Sequence, residues 1–183
     1  MLCGIDEAGR GPIAGDLVVA GAIFHKGVPT EGLDDSKKIS EKKREALYET
    51  IYNNTTNHIV IIKPWEIDEK GISECMATAL KEIQEKLKAS RYLFDGNTTF
   101  GVQNLETMVK ADGKVPEVSA ASILAKVTHD RNIIKDAKEY PEYSFERHKG
   151  YGTKLHIEMI KKYGYSPIHR RSYRVKALEK TLF

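Results

Sequence analysis

The sequence predicts one α/β domain built around a mixed β-sheet. Its 183 residues match the usual length of a single domain, and 40% of them are hydrophobic, which is enough for a sizeable core. Strand-like segments come first and helical patterns are interleaved after them, which is typical of α/β folds. The longest apolar run, residues 17–24, is shorter than the roughly 20 residues that cross a bilayer. We therefore expect no membrane partner.

Five segments have the composition of strands. Residues 2–5 and 17–24 are apolar, and the Gly- and Pro-rich sequence between them predicts a loop rather than a helix. Three further strands are predicted at residues 58–62, 92–94 and 105–109.

Five segments are predicted to be helical: residues 40–53, 72–89, 116 to about 137, 153–163 and 175–182. Pro116 suits the first turn of the longest one. The helix at 72–89 has the clearest pattern, because its apolar residues recur at helical spacing and predict a buried stripe. These residues are Ile72, Cys75, Met76, Ala79, Leu80, Ile83 and Leu87.

Cysteine usage and charge narrow the function classes. Cys3 and Cys75 have no CxxC spacing and no signal peptide precedes them, so we expect a reduced cytoplasmic protein without a thiolate zinc site. The net charge is only +3, yet residues 148–183 hold nine basic residues against two acidic ones. That segment carries +7 and the rest of the chain −4, which favours metal-holding carboxylates in one part and a polyanion-binding surface in the other. A solvated helical face would have the same charge.

Four acidic residues lie where a ligand site would form. Asp6 and Glu7 follow the first predicted strand, Asp95 ends the fourth, and Asp112 precedes the longest helix. Ligand sites of α/β sheets gather at strand ends, so these carboxylates can converge. Like charges held close repel, and a hard divalent cation such as Mg²⁺ or Mn²⁺ relieves that repulsion. Taken singly, each Asp could equally cap a turn.

The segment Gly9-Arg10-Gly11 directly follows two of these acids. Glycine lets a backbone come close to a ligand and expose its N–H groups, and arginine adds a forked, permanently charged donor. The alternative is an ordinary Gly-rich turn.

Residues 4–12, with the sequence Gly-Ile-Asp-Glu-Ala-Gly-Arg-Gly-Pro, closely resemble the N-terminal signature of ribonuclease HII, the type 2 ribonuclease H family. Further blocks similar to that family follow in the same order across almost the whole chain. They lie at residues 35–38, 95–96, 111–112, 120–127, 148–153 and 169–170.

The resemblance implies a ribonuclease H-like fold, with a central mixed five-stranded sheet flanked by helices and a helical C-terminal extension. Residues 1–183 would form one catalytic domain, and residues from about 140 to 183 a basic, substrate-binding portion of it. Asp6, Glu7, Asp95 and Asp112 match the catalytic carboxylates and would hold two Mg²⁺ or Mn²⁺ ions.

The activity implied is that of an endonuclease. It would hydrolyse the RNA strand of RNA–DNA hybrids and cut 5′ of single ribonucleotides in duplex DNA, leaving 5′-phosphate and 3′-hydroxyl ends. Such an enzyme removes misincorporated ribonucleotides and RNA primers during replication and repair. We expect a monomer, and the sequence has no convincing clamp-binding motif.

The resemblance also assigns the substrate contacts. Gly9, Arg10, Gly11 and Tyr151 would bind the 2′-hydroxyl, the group that distinguishes RNA from DNA. Phosphate contacts are expected from Lys37, Lys38, Ser119, Ser122, Lys126, His148, Lys149 and Arg170, with His169 and Arg171 extending them.

Four positions depart from the commonest family pattern: Asp16 replaces Pro, Ala111 replaces Gly, His129 replaces Arg and Tyr173 replaces Phe. The changes at Asp16 and His129 are the ones expected to alter substrate binding. The histidines not assigned to phosphate contacts, His25, His58, His129 and His156, fit surface or satisfied core positions.

Three alternatives remain. Ribonuclease HIII shares the fold but typically has Gly-Lys-Gly and a separate N-terminal substrate-binding domain, for which we expect no room in this chain. A catalytically silent hybrid-binding module would have lost its carboxylates. A DEDD-type exonuclease would carry Tyr or His near its last acidic residue.

Overall fold

The computed structural model describes residues 1–28, 30 and 39–179, and in it a five-stranded mixed sheet forms the centre of the protein. The strand order is β3-β2-β1-β4-β5, with β1, β2 and β3 antiparallel and β1, β4 and β5 parallel. The strands are β1 Leu2–Ala8, β2 Leu17–Phe24, β3 Thr55–Ile62, β4 Arg91–Asp95 and β5 Glu106–Met108. The predicted fold class is confirmed, and all five predicted strands are present.

Six helices surround the sheet within the described residues: α1 Glu41–Asn54, α2 Pro64–Lys70, α3 Ile72–Lys86, α4 Pro116–Glu139, α5 Phe145–His148 and α6 Lys154–Tyr163. The sequence did not predict α2 and α5, because seven and four residues are too few to display a helical repeat. Of the helix predicted at 175–182, the described part forms only a 3₁₀ turn at Lys176–Leu178, and residues 180–183 lie outside the described residues. No described helix is both long and apolar enough to cross a bilayer.

Both faces of β2 are buried, which explains its unbroken apolar sequence. Leu17 and Val19 pack in the same cluster as the apolar stripe of α3, and Val18 and Ala20 pack in a second cluster with α4. The sheet therefore lies between these two helices.

Gly4 allows α4 to approach β1. A Cβ atom at this position would overlap the main chain at Glu117, in the first turn of α4. This close approach brings the start of α4, and the Ala111–Gly113 turn before it, towards the strand that carries Asp6.

The C-terminal part packs against the loop between β1 and β2 through main-chain hydrogen bonds. Ile13 N donates to Gly150 O at 2.9 Å, Gly15 N to Ile168 O at 2.9 Å, and Arg170 N to Ile13 O at 2.9 Å. Residues 9–15, called here the glycine loop, are therefore supported by segments about 140 to 160 positions later in the chain.

Candidate active site

Three carboxylates from separate elements meet at one edge of the sheet. Asp6 lies on β1, Asp95 ends the neighbouring parallel strand β4, and Asp112 lies in the 3₁₀ turn before α4. One carboxylate oxygen of each lies within 4.8 Å of the others. The structure therefore brings together three of the four predicted carboxylates.

Local hydrogen bonds hold this acidic cluster, defined as Asp6, Asp95 and Asp112. The Asp95 Oδ1 atom accepts from the Ala111 N–H at 3.1 Å, which ties β4 to the turn. The Ser119 hydroxyl donates to the Asp112 carbonyl, which ties the turn to α4. Ala111 in place of the usual Gly is therefore compatible with the cluster, because the group that it contributes to the Asp95 hydrogen bond is its main-chain N–H.

Glu7 lies beside the cluster rather than within it. Both acidic residues at the end of β1 belong to the strand, whereas the sequence analysis placed them after it. The Glu7 Oε1 atom accepts from Arg10 Nη1 at 3.2 Å. Its Oε2 atom is buried and has no hydrogen-bond partner among the described residues.

The electrostatics of the acidic cluster oppose full ionisation. Burial raises the pKa of Asp6 well above its usual range, and the negative charges of Glu7 and Asp95 raise it further. Hydrogen bonds from the Ser122 hydroxyl and the Glu7 N–H act in the opposite direction. Burial also raises the pKa of Glu7, although Arg10 partly offsets this.

A hard divalent cation fits this donor set. The cluster offers only carboxylate oxygens, the ligands that Mg²⁺ and Mn²⁺ prefer. A cation would neutralise the repulsion that raises the pKa of Asp6, and the buried Oε2 atom of Glu7 is an unused acceptor beside it.

A cleft of about 330 Å³ adjoins the acidic cluster. It is lined by Glu7, Ala8, Gly9, Arg10, Gly11, Ser122, Lys126 and Tyr151. The Tyr151 ring is 46% exposed, and its Cε1 atom would lie 3.8 Å from a Cβ atom placed on Gly11. The residues predicted to bind the 2′-hydroxyl thus line one cleft.

Gly9 is the position in this loop where a side chain does not fit. Its φ is +85°, in the region that favours glycine, and an added Cβ would lie 2.5 Å from His129 Cδ2 and overlap the Asp16 carbonyl. Two of the departures from the family pattern therefore contact the glycine loop. The Asp16 side chain does not line the cleft and pairs with Lys63 Nζ at 2.9 Å.

A buried histidine pair holds the main chain at Tyr151. His156 Nδ1 lies 2.9 Å from the Tyr151 carbonyl, and its Nε2 lies 2.9 Å from His169 Nε2. The Ser166 N–H donates to His169 Nδ1 at 2.9 Å. Neutral rings satisfy every contact when His169 donates from Nε2 and His156 donates from Nδ1 to the carbonyl.

The phosphate contacts predicted for Arg170 and His169 are wrong, because both side chains are buried. The Arg170 side chain is fully buried, and its guanidinium donates to main-chain carbonyls of the glycine loop, including Gly9 O at 2.6 Å. Because the paired His169 ring is also buried, neither side chain reaches a surface where a phosphate would lie.

Two further phosphate predictions are corrected on the same ground. His148 uses both ring nitrogens internally, at 2.8 Å from Tyr143 O and 3.3 Å from Gly150 N. Ser119 is buried against Asp112 and supports the acidic cluster. Ser122 is also largely buried and hydrogen-bonds Asp6, although it contributes to the cleft wall.

The remaining predicted phosphate contacts are Arg171, which is exposed, and four lysines. Lys126 lines the cleft, and its Nζ atom pairs with Asp130 Oδ1 at 2.8 Å. Lys149 Nζ donates to the Glu146 carbonyl at 2.9 Å. Lys37 and Lys38 lie outside the described residues.

Sequence reasoning missed Asp130 and Tyr173 as parts of the site. Asp130 lies four positions after Lys126, a helical spacing that would have indicated the ion pair. Tyr173 approaches the glycine loop only through tertiary structure, and its hydroxyl donates to Arg10 O at 2.7 Å. No local pattern indicates that contact.

Comparison with known proteins agrees with this geometry. The family model described as Ribonuclease HII matches residues 3–176. The chain is 62% identical to ribonuclease HII of Sulfurovum sp. (strain NBC37-1) over 100% of its own length and 96% of that protein. It is 54% identical to ribonuclease HII of Aliarcobacter butzleri over 97% of this chain and 92% of that protein.

Solved structures show the same relationship. The RNase HII of the PCNA:RNase HII complex from Archaeoglobus fulgidus is 29% identical, with a TM-score of 0.85 over 100% of this chain and 98% of that one. Bst-RNase HIII in complex with Mn²⁺, at 14% identity and a TM-score of 0.69 over 89% of this chain and 62% of that one, shares the fold. With the family model spanning nearly the whole sequence, the chain belongs to the ribonuclease HII family and is a type 2 ribonuclease H.

Proposed function

We propose that this protein is an endonuclease that cuts the RNA strand of RNA–DNA hybrids and the 5′ side of single ribonucleotides in duplex DNA. The products would carry 5′-phosphate and 3′-hydroxyl ends. The observation that carries the proposal is the position of the acidic cluster beside the cleft lined by Gly9, Arg10, Gly11 and Tyr151.

Asp6, Asp95 and Asp112 would hold divalent metal, with Glu7 beside them, and Mg²⁺ or Mn²⁺ suits their oxygen donors. Two bound ions would supply the activation of a water molecule and the stabilisation of the leaving 3′-oxygen. The protein contributes the rigid placement of the three carboxylates, through β1, β4 and the turn before α4. No side chain is required as a covalent nucleophile.

Selection of RNA would come from the glycine loop and Tyr151. Peptide N–H groups near Gly9 and Gly11 can approach a hydroxyl closely, because neither residue carries a side chain. The side chain of Tyr151 is exposed and lines the same cleft. A 2′-hydroxyl bound between them would be the feature that separates a ribonucleotide from a deoxyribonucleotide.

Lys126 and Lys149, extended by Arg171, remain the proposed phosphate contacts within the described residues, and Lys37 and Lys38 are proposed from the sequence alone. A role in ribonucleotide removal and primer removal follows from the family resemblance, and a cytoplasmic location follows from the cysteine usage. Both stay predictions, as does a monomeric state.

Cleavage of a labelled DNA duplex with one embedded ribonucleotide tests the proposal. We expect a cut 5′ of the ribonucleotide with Mg²⁺ or Mn²⁺, no cut with EDTA, and loss of the cut in Asp95→Asn. Glu106→Gln is the matched control, because Glu106 is an exposed carboxylate paired with Arg91 away from the cleft. Salt-sensitive binding without a cut under any metal would instead support a silent binding module.

Cleavage confined to runs of several ribonucleotides would contradict the single-ribonucleotide activity. It would indicate a substrate preference like the one expected of the ribonuclease HIII alternative.

A further inference from the structure

All three nitrogens of the Arg170 guanidinium donate to main-chain carbonyls of the glycine loop. Nη2 donates to Gly9 O at 2.6 Å and to Gly15 O at 2.8 Å, and Nε donates to Gly15 O at 3.0 Å. Nη1 donates to Pro12 O at 2.9 Å and to Arg10 O at 3.3 Å. One side chain thus holds four carbonyl groups of a seven-residue loop.

Tyr173 completes this arrangement. Its hydroxyl donates to Arg10 O at 2.7 Å and accepts from Arg170 Nη1 at 3.1 Å. The Arg170 Cζ atom lies 5.2 Å from the centre of the Tyr173 ring. The Arg10 carbonyl therefore accepts hydrogen bonds from two side chains. The bond from Tyr173 depends on a hydroxyl that the usual Phe at this position would lack.

A buried guanidinium bonded to neutral carbonyls is a costly way to hold a loop. Removing a cation from water carries a large desolvation penalty, and Arg170 forms no salt bridge with a carboxylate among the described residues. Burial accordingly lowers the pKa of Arg170. Its planar fork, however, sets the direction of several carbonyls at once.

The direction of those carbonyls determines where the loop N–H groups point. In a planar trans peptide the C=O of one residue and the N–H of the next lie on opposite sides. Because the carbonyls of Gly9 and Arg10 point towards the buried guanidinium, the N–H groups of Arg10 and Gly11 point away from it. Arg10 and Gly11 line the cleft.

We propose that Arg170 and Tyr173 are positioning residues for ribose recognition, which hold the N–H groups of Arg10 and Gly11 towards the cleft where a 2′-hydroxyl is bound. This inference rests on the proposed function. Neither side chain lines the cleft, so both act through the glycine loop and not on the substrate.

The test compares Tyr173→Phe with wild type on two duplexes of identical sequence. The first contains one ribonucleotide and is cleaved, giving kcat/KM. The second is all DNA and is used as a competitor, giving an inhibition constant. We expect Tyr173→Phe to lower kcat/KM about fivefold, the effect of one lost hydrogen bond, and to leave the inhibition constant within about twofold. A selective loss on the ribonucleotide duplex is the signature of positioning.

Two further variants serve as a control and as a second test. Tyr165→Phe is the matched control, because Tyr165 is an exposed tyrosine of the same C-terminal part and lines a different cavity. It should match wild type on both duplexes. Arg170→Lys keeps the charge but loses the fork, so we expect more than tenfold selective loss. If Arg170→Lys does not fold, Tyr173→Phe alone decides.

Two outcomes overturn the inference. Tyr173→Phe equal to wild type would show that its hydroxyl does not position the loop, and equal weakening on both duplexes would indicate a merely structural role. Both leave the proposed function standing. Failure of the wild type to cut the ribonucleotide duplex would instead refute the proposed function.

Discussion

Substitution of Asp6 by Asn is expected to stabilise the metal-free protein and destabilise the metal-loaded one. Asp6 is 5% exposed, and one of its oxygens lies within 4.8 Å of oxygens of Asp95 and Asp112. Burial and the neighbouring charges of Glu7 and Asp95 raise its pKa, so ionised Asp6 opposes folding. Asn removes the charge and keeps an oxygen that accepts the Glu7 N–H bond, which now measures 2.8 Å.

Coulomb's law sets the magnitude. Two unit charges 4.8 Å apart repel by about 3.5 kcal/mol at an effective dielectric constant of about 20. Because partial protonation already relieves some of this repulsion, we expect a gain of about 1–2 kcal/mol in EDTA. For a chain of this size that raises Tm by about 2–8 °C. In excess Mg²⁺ the wild type gains binding free energy that the variant has largely lost, so the order of the two Tm values reverses.

The assay is thermal unfolding of both proteins in EDTA and in Mg²⁺. Asp16→Asn is the matched control, because Asp16 is equally buried but paired with Lys63, so its loss should lower Tm in both solutions. A lower Tm for Asp6→Asn in EDTA, or an equal rise of both proteins in Mg²⁺, would refute the reasoning.

Three further predictions concern the glycine loop, the histidine pair and the cleft lysine. Gly9→Ala should abolish cleavage and cost about 2 kcal/mol or more of stability. Gly101→Ala, also at positive φ but in open space, should cost less and keep activity. Chemical unfolding and cleavage assays check both variants. Burial, together with the charge of neighbouring histidines, lowers the pKa of His156 and His169 to about 4. As the pH falls, these histidines take up protons in the unfolded chain before they do so in the folded protein. The free energy of unfolding should therefore fall as the pH drops from about 6.5 to 4, and it should fall less steeply in His169→Gln. Unfolding measured at several pH values checks both expectations. Lys126→Gln should weaken duplex binding and reduce the slope of the logarithm of the binding constant against the logarithm of the salt concentration by about one unit. Binding titrations at several salt concentrations measure this slope, and an unchanged slope would exclude a phosphate contact.

The convergence of the acids was predictable because strand ends constrain it. Asp6 and Asp95 lie on neighbouring parallel strands, and Asp112 lies just before a helix whose start is set by a proline. Such placement follows from local patterns and the rules of α/β topology. The exact extent of β1 did not follow, because the acidic residues at its end look like the start of a loop.

The fate of the basic C-terminal residues was not predictable from charge. Arg170 and Arg171 are neighbours in the sequence, yet Arg170 is fully buried and Arg171 is exposed. A charge count treats both as surface cations, since burial of a guanidinium depends on carbonyls supplied by a loop about 160 positions earlier. Histidines present the same difficulty, because His148 satisfies its ring nitrogens with main-chain groups of Tyr143 and Gly150, in turns that show no sequence pattern.

The two walls of the cleft are anchored on consecutive residues. His169 reaches the main chain of Tyr151 through His156, while Arg170 reaches the glycine loop directly. The two residues are joined by one peptide bond, and His169 also forms a β-bridge with Ala14 of the loop. A displacement of this segment would therefore move both walls together, so this short stretch and the Ile13 N–Gly150 O hydrogen bond together set the distance between the loop and the tyrosine. The basic C-terminal part, which resembles a polyanion-binding surface in sequence, thus contributes internal supports of the cleft as well as exposed charge.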